Sequence, residues 1–159
     1  MATGALYPGT FDPFTNGHEE IVRRAAVVFG RVVIAVATSS RKQPMFDLEE
    51  RIAMISEIFS DADEISVMGY EGLTVDVARE QQVGVIVRGL RAVSDFEYEF
   101  QLATMNRHLE SEIETVFLTP TEKFMFVSST LVREISKMGG DVSDFVAPGV
   151  AAVLNQKTS

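Results

Sequence analysis

The sequence predicts a doubly wound α/β fold, with a five-stranded parallel sheet and helices on both faces. Three observations carry that expectation. Short apolar runs rich in β-branched residues recur along the chain, most clearly Val32-Val33-Ile34-Ala35-Val36-Ala37. Stretches with helical spacing of apolar residues separate them. Strand-sized and helix-sized segments therefore alternate, which implies a parallel sheet covered on both faces. At 159 residues, the chain is expected to form one domain over 1–159 with its own core.

Ala5-Leu6-Tyr7 reads as the first strand. Glu19 to Phe29 follows as a helix, with Ile21, Ala25, Val28 and Phe29 at helical spacing and Gly30 as its stop. The run at 32–37 is the second strand, apolar enough to be buried on both faces. After the basic loop Arg41-Lys42-Gln43-Pro44, Asp47 and Glu50 stand in capping-box spacing. They open a helix whose inner face is Ile52, Ile55 and Phe59. Ile65, Val67 and Met68 form a third strand, and Thr74 to Gln82 a short helix. Val83 to Val87 is the fourth strand, ending at Arg88-Gly89-Leu90-Arg91.

The longest helix is expected over Ser94 to Leu109. It carries Phe96, Tyr98, Phe100, Leu102, Ala103 and Met105 on more than one face. One buried stripe does not use that many, so the excess points to burial or a subunit contact. Thr115 to Leu118 is the fifth strand, and Thr119 to Lys123 a loop. Ser128-Ser129-Thr130 opens a helix that ends at Gly139-Gly140, and Pro148 starts a last one. The whole reads as a Rossmann-like sheet. Such sheets take their ligands beyond the carboxyl ends of the strands.

Composition narrows the function. Hydrophobic residues are 46% and charged residues 23%, as in a soluble globular protein. No cysteine is present, which removes disulfides, thiolate zinc sites and cysteine nucleophiles and is compatible with a cytoplasmic location. No secretory signal is visible, and no apolar run approaches the ~20 residues of a membrane span. The net charge of −9 opposes binding to nucleic acid or to an anionic membrane unless the 14 Lys and Arg cluster.

Four of them, Lys42, Arg88, Arg91 and Arg133, gather at one rim of this topology. Between the first strand and first helix lies Gly9-Thr10-Phe11-Asp12-Pro13-Phe14-Thr15-Asn16-Gly17-His18. Gly9 and Gly17 permit positive φ or close approach, and Pro8 and Pro13 stiffen the loop. Asn16 is the expected N-cap, which puts His18 in the first helical turn. A helix N-terminus favours phosphate, and the histidine adds a donor that can be cationic near neutral pH. Neither a Walker A loop nor a dinucleotide fingerprint is present. Lys42 follows the second strand, Arg88 and Arg91 the fourth, and the Ser128 helix start with Arg133 the fifth. An acidic chain that gathers cations and helix ends on one rim is suited to a polyanion such as a nucleoside triphosphate or a phosphorylated metabolite.

Each signal alone also fits an ordinary structural role. Gly17-His18 can simply shape a loop, Lys42 can be a solvated residue, and Arg88 and Arg91 can flank a turn. Ser128-Ser129-Thr130 can be only an N-cap, Glu97 and Glu99 solvated, and Phe124 and Phe126 packing residues. Their joint placement at one end of one sheet is what favours a site.

Two segments carry a resemblance. Gly9-Thr10-Phe11-Asp12-Pro13 with Thr15-Asn16-Gly17-His18 resembles the Thr/His-x-Gly-His signature of the nucleotidyltransferase superfamily. Val127 to Arg133 is similar to its Ile-Ser-Ser-Thr-x-x-Arg signature. Within that superfamily, several further segments resemble the bacterial phosphopantetheine adenylyltransferase family. They are Pro44-Met45-Phe46, Leu48-Glu49-Glu50-Arg51, Arg88-Gly89-Leu90-Arg91, Asp95 to Glu99 and Met105-Asn106-Arg107-His108. Phe124 stands where relatives often carry a larger or hydroxylated aromatic, and Arg133 where some carry lysine.

The resemblance implies reversible adenylyl transfer from ATP to 4′-phosphopantetheine, giving dephospho-coenzyme A and pyrophosphate in coenzyme A synthesis. It implies Mg²⁺ as cofactor and a hexamer of identical chains. It assigns Thr10, Lys42, Thr74 and Arg88 to the acceptor. To ATP it assigns Gly9, Thr10, Phe11, His18, Gly89, Leu90, Arg91, Glu99, Phe124, Met125, Phe126, Val127, Ser128, Ser129 and Thr130. His18, Thr10, Lys42 and Arg91 would be catalytic.

The residue types suit such chemistry. An acceptor phosphate is already a nucleophile, so in-line attack on the α-phosphorus requires no strong base and no covalent intermediate. It requires alignment of two polyanions and stabilisation of charge on phosphoryl oxygens. No carboxylate cage for a metal is evident, so Mg²⁺ would come with the triphosphate. Three alternatives stay open from sequence: a sister enzyme with another acceptor or CTP, a non-catalytic ATP-binding module, and a structural interaction protein.

Overall fold

The computed structural model describes residues 4–38 and 43–159. Its sheet has the order β3-β2-β1-β4-β5, and every pairing is parallel. β1 spans Ala5–Gly9, β2 Val32–Ala37, β3 Ile65–Tyr70, β4 Val85–Gly89 and β5 Glu114–Leu118. The helices are α1 Asn16–Phe29, α2 Leu48–Ile58, α3 Thr74–Glu80, α4 Val93–Leu109, α5 Ser129–Lys137 and α6 Pro148–Thr158. The strand order reverses around β1, which opens a crevice beyond the carboxyl ends of β1 and β4.

Alternation along the strands builds two cores. Ala5, Tyr7, Val32, Ile34, Val36 and Val87 pack with Ile21, Val22 and Ala25 of α1 and Ile55 of α2. Leu6, Val33, Ala35 and Ile86 point the other way, onto Val75, Val77 and Ala78 of α3. A third cluster joins Phe46 and Met54 to Val127 and Val132 of the α5 region and Val150 and Leu154 of α6.

Several boundaries differ from expectation by a few residues, and two of the differences bear on the crevice. The fourth strand is shifted toward its carboxyl end, because its ladder with β5 runs from Val85↔Glu114 to Gly89↔Leu118. Val83 instead closes the α3 turn by donating to the Ala78 carbonyl. Arg88 and Gly89 therefore lie within the sheet edge that faces the crevice. The expected loop at 119–123 contains part of a short 3-10 turn over Glu122–Phe124.

α1 ends at Gly30, whose φ of 81° is a conformation that favours glycine. Its beginning corrects the expected cap. Thr15, not Asn16, is the N-cap, with extended backbone and a hydroxyl that accepts from the His18 N–H at 3.3 Å. The Asn16 side chain and backbone reach instead to the carbonyls of Asp144 and Phe145.

α4 turns Glu99 and Asn106 inward, two turns apart on one face. Phe96, Tyr98, Phe100, Met105 and Leu109 are exposed. Among the described residues, no helix is long and apolar enough to cross a membrane.

Candidate active site

A cleft of about 340 Å³ opens where β1, β4, α1 and the start of α5 meet. It is lined by Gly9, Thr10, Phe11 and His18 from the β1–α1 loop and by Arg88, Gly89 and Arg91 from the end of β4. Glu99, Phe124, Val127, Ser128, Ser129 and Thr130 complete most of the wall. Thirteen of the residues that the family resemblance assigns to the two substrates thus share one cavity. Leu90, Met125, Phe126 and Thr74 do not line it. Phe126 is 83% exposed, and Thr74 sits at the start of α3, its hydroxyl 3.4 Å from that of Tyr70. Lys42 lies outside the described residues.

The β1–α1 loop is held in an unusual shape. Phe11 has a φ of 53°, which costs a side-chain-bearing residue about 1–3 kcal/mol. Gly9 makes that shape possible, since a Cβ there would meet the Phe11 ring at 2.7 Å. Asp12 accepts from the backbone N–H groups of Met45 and Phe46, both at 2.9 Å. Ser129 donates to the Pro13 carbonyl at 2.7 Å, and Arg133 donates to that of Asp12. The loop is fastened to both neighbouring elements.

Arg51 of α2, 1% exposed, fastens it from below. It donates to the carbonyls of Thr10 at 2.7 Å, Ala37 at 2.8 Å, Phe46 at 3.0 Å and Asp47 at 3.3 Å. One planar guanidinium thereby ties the β1–α1 loop to both ends of the β2–α2 connection. Arg51→Ala would strand these acceptors and is expected to cost at least about 3 kcal/mol, read as a lower urea midpoint.

His18 is the third residue of α1. Its Nδ1 accepts from the Thr15 backbone N–H at 3.0 Å, closing a capping box. That bond places the ring proton on Nε2. The ring packs edge-on to Phe11 at 5.0 Å and tilted against Phe14 at 5.2 Å. Burial among these rings, and then the Arg91 charge, push its pKa down to about 3. Of the two forms open to a histidine there, burial favours the neutral one, so at neutral pH His18 is an Nε2–H donor.

Arg88 forms a two-pronged pair with Glu99, Nε to Oε2 at 2.8 Å and an outer nitrogen to Oε1 at 2.7 Å. Its other outer nitrogen donates to the Pro8 carbonyl at 3.3 Å. Burial disfavours the cation, but the hydrogen bonds and charge of Glu99 outweigh that, so its pKa stands above the ordinary value. Glu99, 8% exposed, thus aims Arg88. Arg91 donates to the Val127 carbonyl at 3.3 Å and lies 3.7 Å from Asp95, linking the end of β4 to the start of α5. Ser128 caps α5 by accepting from the Leu131 N–H at 3.1 Å.

Tyr7, Asp12, Asp95, Pro120 and Arg133 also line the cleft. Of these, Tyr7 reads from sequence as ordinary strand core, and Asp12 and Asp95 as polar loop or helix residues. The carboxylates have neighbours: Glu99 pairs with Arg88, Asp12 accepts two backbone N–H groups, and Asp95 lies near Arg91. Among the described residues, no group of three His, Asp or Glu could hold a metal ion. The arrangement offers directed donors and cations without a strong base, which suits phosphoryl chemistry.

Residues 6–135 match the family model described as cytidylyltransferase-like. The chain is 57% identical over 155 residues to a phosphopantetheine adenylyltransferase of Azoarcus sp. (strain BH72), covering 98% of this chain and 95% of that one. It is 59% identical over 157 residues to one from Thioalkalivibrio sulfidiphilus (strain HL-EbGR7), covering 99% of each. Among solved structures, a putative nicotinate-nucleotide adenylyltransferase from Vibrio parahaemolyticus aligns with a TM-score of 0.72. That match covers 98% of this chain and 99% of the other, and at 17% identity it bears on the fold alone.

Proposed function

Because the chain belongs to the cytidylyltransferase-like family, and within it to the phosphopantetheine adenylyltransferases, we propose that it joins ATP and 4′-phosphopantetheine into dephospho-coenzyme A and pyrophosphate. The observation that carries this reading is one cleft that holds His18 and Arg91 together with Arg88 aimed by Glu99. Two anions can meet there with separate cations to receive them.

The acceptor phosphate binds Arg88, Lys42 and Thr10, with Thr74 along the rest of the acceptor. ATP lies along Gly9, Phe11, Gly89, Leu90 and Arg91 and the segment from Phe124 to Thr130. Glu99 acts on the site through Arg88. An acceptor oxygen attacks the α-phosphorus as the bond to the bridging oxygen of pyrophosphate breaks. His18 donates its Nε2–H to an α-phosphoryl oxygen as charge builds. No proton is removed from the nucleophile, so no base is required.

Among the described residues, no group of three His, Asp or Glu is placed to hold a metal ion. Mg²⁺ enters bound to the triphosphate and water, as part of the substrate. The reaction is assigned to the cytoplasm. A panel of ATP and CTP against 4′-phosphopantetheine, nicotinate mononucleotide and glycerol phosphate tests the assignment. Pyrophosphate release is expected with ATP and 4′-phosphopantetheine, and comparable turnover of another pair would overturn it.

The exposed face of α4 is assigned to contacts between identical chains, in a hexamer. Phe96 and Phe100 stack at 5.8 Å and, with Tyr98 and Met105, present more apolar surface than a solvated helix carries. Light scattering at micromolar concentration is expected to give about six times the 17.5 kDa chain mass. Tyr98→Glu with Met105→Glu should shift it to smaller species. A monomer for the wild type would refute the assignment.

A further inference from the structure

Tyr7 is a buried residue that the reaction just described does not use. It lies on β1, 5% exposed, and lines the cleft. Its ring is 5.3 Å from that of Phe11 and 6.4 Å from that of His18. Its hydroxyl lies 3.7 Å from the position a Cβ on Gly89 would take. Arg88, Arg91 and Glu99 all act on it electrostatically. The phenol oxygen therefore lies near Gly89, which is assigned to the nucleotide, in the cleft that Arg88, assigned to the acceptor, also lines. Among the described residues, that oxygen makes no hydrogen bond.

No polar side-chain atom among the described residues is sealed from solvent without a partner, so the Tyr7 hydroxyl opens into the cleft, where a ligand can reach it. A donor with no partner in the protein is available to a ligand. Burial also holds the phenol well above the usual tyrosine range, with the two arginines opposing weakly, so it keeps its proton and is a donor.

We propose that the Tyr7 hydroxyl donates a hydrogen bond to an α-phosphoryl oxygen, beside His18, at the point where the two substrate phosphates meet. This rests on the adenylyl-transfer reading, since only in that reaction does an α-phosphorus lie between the two anion sites. With His18 on one oxygen, a second uncharged donor shares the charge that develops there. Neither donor repels the nearby arginines.

Tyr7→Phe removes one oxygen atom and nothing from the packing. The variant is expected to lose roughly 10–150-fold in kcat. Its melting temperature should match that of the wild type, because the removed hydroxyl makes no hydrogen bond within the described residues. A hydroxyl with only a structural role predicts the reverse, normal kcat with a lower melting temperature. Calorimetric titration with dephospho-coenzyme A, which carries the transferred phosphoryl group, gives a second readout and should show about tenfold weaker binding. A kcat and product affinity both within twofold of the wild type would overturn the proposal, as would a loss of thermal stability that accounts for the lost activity. If the wild type itself releases no pyrophosphate, the adenylyl-transfer reading fails. The titration then still decides whether the hydroxyl meets the ligand, and unaltered affinity would refute it.

Discussion

His18→Ala is expected to turn over about 10²–10³-fold more slowly than the wild type and to bind ATP almost normally. The side chain contributes a neutral Nε2–H, because its Nδ1 is committed to the Thr15 N–H at 3.0 Å. A donor aimed at an oxygen that gains charge only during reaction acts on kcat and not on ATP affinity. The pH dependence follows from the pKa of about 3. The kcat profile should show no His18 step near pH 6.5, where a free imidazole titrates. Stability carries the other half. The folded ring refuses a proton that the unfolded ring takes up, so wild-type stability is full above pH 6.5 and is lost as pH falls toward 3. His18→Ala should lose less stability over that window. Steady-state kinetics with calorimetric ATP titration and acid melts check each part. A near-normal kcat at saturation would remove His18 from the chemistry.

Arg88→Ala is expected to damage both stability and acceptor binding, and the two effects can be separated. Removing the guanidinium leaves Glu99, 8% exposed, as an uncompensated carboxylate, at a cost of about 3–5 kcal/mol. Separately, a lost charged hydrogen bond to the acceptor phosphate is worth about 1.5–3 kcal/mol, roughly 10–150-fold in KM for 4′-phosphopantetheine. The double variant Arg88→Met with Glu99→Gln removes both charges and should recover most of the stability. It should not recover the acceptor KM, while ATP affinity stays within a few-fold. Equal weakening of both substrates, or full recovery of KM with stability, would show that Arg88 is only structural.

The sheet was legible because strand-sized apolar runs alternate with helix-sized segments, which implies parallel strands; their order, β3-β2-β1-β4-β5, is shown by the structure alone. The cleft was legible because Thr10, His18, Arg88, Arg91 and Ser128 stand at strand ends, which topology gathers on one side. The cap of α1 was misjudged by one residue. Thr15 and Asn16 are both good caps, and the choice was made by distant carbonyls at Asp144 and Phe145 that engage Asn16. The histidine's charge was left open by the sequence, because its aromatic neighbours and its bond to Thr15 come from loop geometry. Arg51 was invisible as a tether, since an arginine in a helix full of charges reads as solvated. Its four carbonyl partners lie on three separate segments. Glu99 could be suspected of facing the site, but its pairing with Arg88 depends on how α4 packs beside β4. Thr74, Leu90, Met125 and Phe126 came from family likeness, and none of them lines the cleft.

The most direct measurement is pyrophosphate release by the wild-type protein with ATP and Mg²⁺, in the presence and absence of 4′-phosphopantetheine, with product identified by mass. Release is expected only with the acceptor, one pyrophosphate for each dephospho-coenzyme A formed. Pyrophosphate released without acceptor, or ATP bound with neither product formed, would contradict direct adenylyl transfer between the two anion sites.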